Sequence, residues 1–383
     1  MAPRRIAIML TTRGNYAKMK STMRAIQAHD GLELITLVGG GIVQERFGDF
    51  RPSIARDGFP IDASIDFLIG DGATLGAQTT SAGRAVSAVG EVMSAHKPDV
   101  VLVIADRWEA LSIAFAATCM NVPIAHLEGG EVSGSIDDRI RHAITKLAHL
   151  HLPANDEAAR RIKTMGESPE SVVVVGTPSL DLLNDIDLLN RKSLFDAGGE
   201  GNRIDFTGDF IAVSQHPVVT EAADAERQVL ETFAAAVAAG LPIVWVLPNM
   251  DAGGDGVMRA IEDMRRKGSG VPIRVYPSMG FAHYSVLLAN ARCLVGNSSS
   301  GIREGAFLGT PVVNIGSRQN GRDRGRNVID VPHERNAIAA ALARQLAHGR
   351  YRSDPLYGDG HAGNKIASAL AAMPLDLNKP IMA

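Results

Sequence analysis

The sequence predicts an α/β protein built from two doubly wound domains in tandem. Three observations carry this. Short, continuous apolar runs recur along the chain with helix-length segments between them, the pattern of parallel strands buried on both faces. The alternation stops at a polar, glycine-rich stretch, RKSLFDAGGEGNRIDFTGD (191–209), and then restarts. The chain has 383 residues, more than one ordinary core holds, and its 45% apolar share is enough to fill two.

In the first half, RRIAIML, LELITLVGG, DVVLVIAD, PIAHLEGG, HLHLPA and SVVVVGTP read as strands, with helices over 76–96 and 109–120. In the second, FIAVSQHP, LPIVWVLPN, VPIRVYPS, ARCLVGNSSS and TPVVNIG do the same. The expected domains are 1–195 and 205–355, with a C-terminal helix in 356–383 joining the first. Such sheets bind ligands beyond the carboxyl ends of their strands, so two facing domains would frame one cleft.

The formal net charge is -3 and the pI about 6.4. That balance gives no support to a nucleic-acid or anionic-membrane partner. Cys119 and Cys293 lie far apart in apolar runs and are expected to be buried free thiols of a reducing compartment, not a disulfide or metal pair. The apolar run after Arg4 and Arg5 ends at Leu10, which fits a strand better than a signal peptide. No run is long enough to span a bilayer, and a cytoplasmic protein is expected.

Polar residues cluster where strands end: Asp106, Arg107 and Glu109; His126 and Glu128; Gln215 and His216; Asn249 and Asp251; Asn297 to Ser300. Singly each is an ordinary turn or cap residue. Five clusters at equivalent places point to a polar ligand. The stretch HLEGGEVSGSIDD (126–138) crowds Glu128, Glu131, Asp137 and Asp138 among three glycines. Acids so placed repel one another without a cation, and crowding spreads their proton affinities as acid/base chemistry requires.

In CLVGNSSSGIREGAFLG a strand runs into serines at a helix start. Free amides and hydroxyls there suit a phosphate, Gly301 would let it approach, and Glu304 in the first turn would meet ribose hydroxyls. An equal reading is a serine cap with Glu304 closing a capping box. No Walker A lysine is present, and TTRGNY after the first strand gives no dinucleotide fingerprint. Arg13, Arg107 and Arg318, each near a strand's carboxyl end, are candidates for a diphosphate; Arg322, Arg324 and Arg326 read as solvated surface. Lys18 joins the substrate-binding candidates. His149 and His151 read as structural, His142 as an ordinary helix residue, and His216 as the best functional histidine. No metal-ligand spacing appears.

ADRWEAL, HLEGGEVSGSIDDRIRHAITKLAH, SQHPV, PNMDAG, GNSSSGIREGAFLGTPVVNIGSRQNGR and YGDGHA together resemble the hydrolysing UDP-N-acetylglucosamine 2-epimerases over nearly the whole chain. The resemblance implies two Rossmann-like domains in the B-type glycosyltransferase fold. It implies Asp106, Glu128 and Asp137 as acid/base groups, with His216, Asp138, Asn249 and Asp181 around the sugar. Arg13, Arg107, Ser298, Ser299, Glu304 and Arg318 would surround the nucleotide. The implied reaction converts UDP-N-acetylglucosamine and water to N-acetylmannosamine and UDP, through elimination and hydration, with no metal or redox cofactor. It would serve sialic-acid synthesis in a homodimer or homotetramer.

Three positions depart from the family pattern. Asn15 stands where the family has aspartate, Ile42 where it has histidine, and Glu262 beside Arg265 where a second basic residue would meet CMP-sialic acid. The last implies no feedback inhibition by that nucleotide. The first two leave open the same chemistry on a UDP- or GDP-linked diacetamido sugar. A glycosyltransferase or a non-catalytic nucleotide-sugar sensor remain the readings from other classes.

Overall fold

The computed structural model describes residues 2–70, 74–133, 137–247, 260–261, 270–379 and 382. The chain forms two compact units, Met1–Leu182 with Gly358–Ala383, and Leu183–Tyr357.

The first unit contains β1 (Arg4–Leu10), α1 (Arg13–Gln27), β2 (Leu32–Gly39), α2 (Arg51–Arg56), β3 (Ala63–Ile65), α3 (Leu75–His96), β4 (Val100–Ile104), α4 (Trp108–Cys119), β5 (Ile124–Leu127), α5 (Asp137–Leu147), β6 (Leu150–Leu152) and α6 (Asp156–Thr164). The strands form one parallel sheet in the order β3-β2-β1-β4-β5-β6. Alternate residues of β1 point to opposite faces. Ile6, Ile8 and Leu10 pack with Met19, Met23 and Ile26 of α1. Ala7 and Met9 pack with Val89 of α3 and Ile113 of α4 on the other face. Burial on both faces explains why these strands read as continuous apolar runs.

The second unit contains α7 (Ser193–Asp196), β7 (Glu200–Gly201), β8 (Ile211–Ser214), α8 (Ala225–Ala238), β9 (Ile243–Val246), β10 (Ile273–Tyr276), α9 (Phe281–Asn290), β11 (Leu294–Gly296), α10 (Ser299–Ile302), α11 (Glu304–Leu308), β12 (Val312–Ile315), β13 (Val328–Val331) and α12 (Arg335–His348). Its sheet runs β13-β12-β11-β8-β9-β10-β7, parallel except for β7. The last helix, α13 (Ala362–Ala372), belongs to the first unit and packs on α1.

Several expectations change. SVVVVGTP is not a full strand of the sheet: Val172 forms an isolated bridge to His151, the Val173 and Val175 amides donate to the His151 and Pro153 carbonyls, and Val173 and Val174 are exposed at its edge. The polar stretch 191–209 folds into the second unit, sending Leu194 and Phe206 into its core. Cys119 is exposed at the end of α4, whereas Cys293 is buried, which pushes its thiol up. β3 and β13 went unread because they are only partly buried, and β7 because it is two exposed residues.

Candidate active site

Both sheets are doubly wound, so each has a point where successive connections leave in opposite directions. Ligands bind at that point, beyond the strand ends. In the first unit it lies between β1 and β4. A cavity of about 270 Å³ opens there, lined by Thr11, Thr12, Asn15 and Lys18 after β1 and by Asp106 and Arg107 after β4.

The acids around this point are held by cations. Glu128 follows β5 and is buried; Lys18 Nζ donates to its Oε2 at 2.9 Å and Thr177 Oγ1 to its Oε1 at 2.6 Å. Arg141, on α5 and 3% exposed, donates to Asp106, to Asp138 and to the Glu131 carbonyl, the last at 2.7 Å. Asp138 also accepts from the Ser133 amide at 3.0 Å and its hydroxyl at 2.8 Å. One guanidinium therefore ties the ends of β4 and of the loop after β5 to the first turn of α5. Asp137, beside Asp138 in that turn, is exposed.

The backbone turns sharply to place these groups. Ala105 (φ +63°) and Glu128 (φ +59°) both lie in the left-handed region, which costs a non-glycine residue about 1 kcal/mol or more. The two glycines after Glu128 serve packing. A Cβ on Gly130 would come within 2.3 Å of the Ala158 carbonyl on α6, and one on Gly129 within 2.9 Å of the His126 ring. His126 is fully buried, with Nε2 2.9 Å from the Ala105 carbonyl and Nδ1 3.3 Å from Thr145 Oγ1. Burial brings its pKa down to about 4, so at neutral pH it is an uncharged brace.

Arg107 caps α4 and forms two hydrogen bonds with Glu109, at 3.1 and 2.9 Å. Burial works against its charge, but Glu109 and then Asp137 outweigh that and hold it above the ordinary range. Asn15 turns its Oδ1 into a buried position with no partner among the described residues. Ile42 is 1% exposed and belongs to the core, so it offers nothing to a ligand. Arg13 lies 5.2 Å over the Phe50 ring, in the loop after β2. Asp181 accepts from the Ala362 and Gly363 amides at 2.9 and 2.7 Å, closing the start of α13.

In the second unit the switch point lies between β8 and β11. His216 after β8 and Asn297 after β11 meet there: the His216 amide donates to Asn297 Oδ1 at 2.7 Å, and Asn297 Nδ2 to the His216 carbonyl at 2.8 Å. The Asn297 carbonyl accepts from Arg318 Nη1 at 3.0 Å and Gln319 Nε2 at 2.9 Å. Burial, then the Arg318 charge, lowers His216 to about 4; its Nδ1 is buried with no partner among the described residues. The Ser298 and Ser300 hydroxyls are 2.8 Å apart, and Tyr284 Oη is 2.9 Å from Ser300 Oγ.

Two expectations fail here. Ser298 makes no side-chain cap bond, and the helix breaks at Arg303, so Glu304 opens α11 and no capping box forms across the serine turn. Gly301 is required by helix-on-sheet packing, since a Cβ would lie 2.9 Å from Leu294 and 3.0 Å from Val312. Asn249, Asp251, Glu262 and Arg265 lie outside the described residues.

Residues 24–371 match the family described as UDP-N-acetylglucosamine 2-epimerase. The chain is 32% identical over 372 residues to a Legionella pneumophila UDP-N,N'-diacetylbacillosamine 2-epimerase (hydrolyzing), covering 97% of each. It is 30% identical over 357 residues to a Neisseria meningitidis UDP-N-acetylglucosamine 2-epimerase, covering 93% of this chain and 91% of the relative. The chain belongs to the hydrolysing UDP-N-acetylglucosamine 2-epimerase family. Its fold is also that of solved epimerases. The Neisseria meningitidis UDP-GlcNAc 2-epimerase bound to UDP-GlcNAc aligns with TM-score 0.77 at 15% identity, over 96% of this chain and 99% of that one. The Methanocaldococcus jannaschii UDP-GlcNAc 2-epimerase in complex with UDP-GlcNAc and UDP aligns with the same TM-score at 16% identity, over 96% and 99%. The two Rossmann-like units are those of the B-type glycosyltransferase fold. No described helix is long and apolar enough to cross a membrane.

In this epimerase family member, Arg141 is the buried cation among the acids that the sequence does not announce. It sits inside a quoted motif but looks like any helical arginine. The signal available was the surplus of acids in 126–138, which demanded a buried cation nearby. Thr177, the hydroxyl partner of Glu128, had no signal, because it arrives from 49 residues away.

Proposed function

We propose that the chain hydrolyses UDP-N-acetylglucosamine to UDP and N-acetylmannosamine, inverting C2. The carrying observation is the carboxylate set at the first switch point, with Lys18 and Arg141 interleaved among its acids. The C2 proton of a sugar is not acidified by a carbonyl, so it leaves only as the anomeric bond breaks. A carboxylate takes that proton, the C1–C2 double bond forms, and the C1–O electrons depart with UDP. A proton then returns to C2 from the other face, and water, deprotonated by a second carboxylate, adds to C1. Glu128, held by Lys18, and Asp106, held by Arg141, are the carboxylates placed to carry these proton transfers. Asp137 stands in the open, where it can exchange its proton with water. Arg107 and Asp138 border this sugar end. In the second unit, Arg318, Ser298, Ser299, Glu304 and neutral His216 receive the nucleotide and the departing diphosphate.

The same chemistry on a diacetamido sugar is a second reading. It is favoured by the Legionella relative, a UDP-N,N'-diacetylbacillosamine 2-epimerase, and by Asn15, a neutral amide on the cavity wall. The resemblance alone supports a cytoplasmic homodimer or homotetramer, which sedimentation would decide. The deciding experiment is proton NMR of the protein with UDP-N-acetylglucosamine in heavy water. UDP together with N-acetylmannosamine deuterated at C2 is the expected result. An unchanged spectrum removes that substrate, and UDP- and GDP-linked diacetamido sugars are tried next. Asp137→Asn should abolish UDP release; a transferase, needing no base at C2, would tolerate it.

A further inference from the structure

Helix α5 carries Asp137, Asp138 and Arg141 at its start, and its other end is gripped by the chain's last residues. Lys379 Nζ donates to the carbonyls of Thr145 at 2.9 Å and Lys146 at 2.8 Å, in the last turn of the helix, where the Thr145 carbonyl otherwise accepts only from the Ala148 amide at 3.3 Å among the described residues. The same ammonium lies 2.8 Å from Glu167 Oε2. Glu167, 2% exposed, also accepts from Lys146 Nζ at 2.5 Å and His151 Nε2 at 3.1 Å. The Met382 amide reaches the Gly166 carbonyl at 3.0 Å. Thr145, held through its carbonyl by Lys379, turns its hydroxyl to His126, the brace under β4 and β5.

We infer that Lys379 is a positioning residue for the carboxylate site: its ammonium, docked on Glu167, holds the carboxyl end of α5 and so fixes the height and rotation of Asp137, Asp138 and Arg141. A lysine is suited to this place, because its positive charge meets the negative end of the helix dipole while its donors satisfy open carbonyls. A helix of eleven residues is rigid enough to pass an anchor at one end to side chains at the other. Misplacing a reacting group by a fraction of an ångström lowers turnover without touching the nucleotide's own contacts.

The inference rests on the proposed reaction, and its test separates the two. The full chain is compared as wild type, Lys379→Met, Lys379→Arg, and a version ending at Asn378. Turnover is normalised to folded protein, and amide hydrogen exchange is followed across α5. Lys379→Met and the truncation should lower kcat about tenfold while KM stays within about twofold, because placement and not binding is lost. Lys379→Arg, which keeps the charge and donors, should restore kcat to within about threefold. Amides 142–148, whose acceptors lie within α5, should exchange faster in Lys379→Met, with α1 and α4 unchanged. Unaltered kcat and KM would overturn the inference, as would a loss that tracks thermal stability and is not restored by arginine. If the wild type releases no UDP from any nucleotide sugar, the reaction is wrong and the exchange decides alone. Faster exchange then supports the clamp, and unchanged exchange overturns it.

Discussion

The two switch points have the same topology and opposite chemistry. In the first unit, the ends of β4 and β5 present acids, which Lys18 after β1 and Arg141 of α5 hold. In the second, the ends of β8 and β11 present an amide, hydroxyls and a neutral imidazole, and Arg318 after β12 joins them at the Asn297 backbone. A sheet and its connections settle where a ligand binds; the residues at the strand ends settle what kind it is. An acid-lined point suits proton transfer at carbon. A point with donors and little acid suits an anionic leaving group.

The sharpest way to break this contrast is Arg141→Met. The guanidinium is buried and satisfies Asp106, Asp138 and the Glu131 carbonyl, so its loss leaves several acceptors without their donor. Destabilisation of about 3–5 kcal/mol is expected, with turnover abolished. Arg141→Lys should recover only part of both, since an ammonium cannot span three acceptors in a planar fork. Urea unfolding measures the first and UDP release the second. Stability near wild type would mean that the acids are not organised by this cation.

Next in size comes a property the two points share. Each is braced by a histidine that burial lowers to about 4, His126 in one unit and His216 in the other. An ordinary histidine near 6.5 in the unfolded chain takes up a proton more readily than the folded one. Stability is therefore complete above about pH 6.5 and declines as pH falls towards about 4. For His126 alone the loss reaches about 2 kcal/mol at pH 5. His126→Gln should be less stable at pH 7, yet its stability should fall less between pH 7 and 5, by about that amount. Equal slopes in urea titrations at the two pH values would show that His126 is not a buried neutral base.

The contrast was partly legible in the sequence. Strand ends fell where apolar runs stopped, so the polar residues at both switch points could be named, because parallel strands buried on both faces leave little else apolar and continuous. The pairing of His216 with Asn297 was not legible, since it joins positions 81 apart through backbone and amide. Glycines misled for a related reason. Gly301 looked like an opening for a ligand, yet it, like Gly129 and Gly130, lies where a neighbouring side chain or backbone presses on it. Asp181, placed around the sugar by the resemblance, also has a structural task invisible in the sequence: its two oxygens meet amides that begin α13, some 180 residues later. Sequence pattern reports which residues end strands; it does not report what long-range packing then asks of them.

The mildest test falls on the second unit. Arg318 donates one hydrogen bond to the Asn297 carbonyl, and Gln319 donates another to the same oxygen. Arg318→Met therefore leaves that carbonyl satisfied, and the fold should be nearly unchanged. What is lost is a cation beside His216, at the point proposed to receive the diphosphate. Charge-assisted contacts of this kind contribute about 1.5 kcal/mol, so UDP affinity should fall about tenfold by calorimetry. His216 should respond as well. The Arg318 charge is one of two causes holding its pKa low, so removing it should let the imidazole titrate at higher pH, a change that NMR of the ring protons would follow. Weaker UDP binding with an unmoved His216 would place Arg318 near the ligand but away from the histidine. An unmoved affinity would remove Arg318 from the anion-receiving side, and the contrast between the two switch points would then rest on the serines and amides alone.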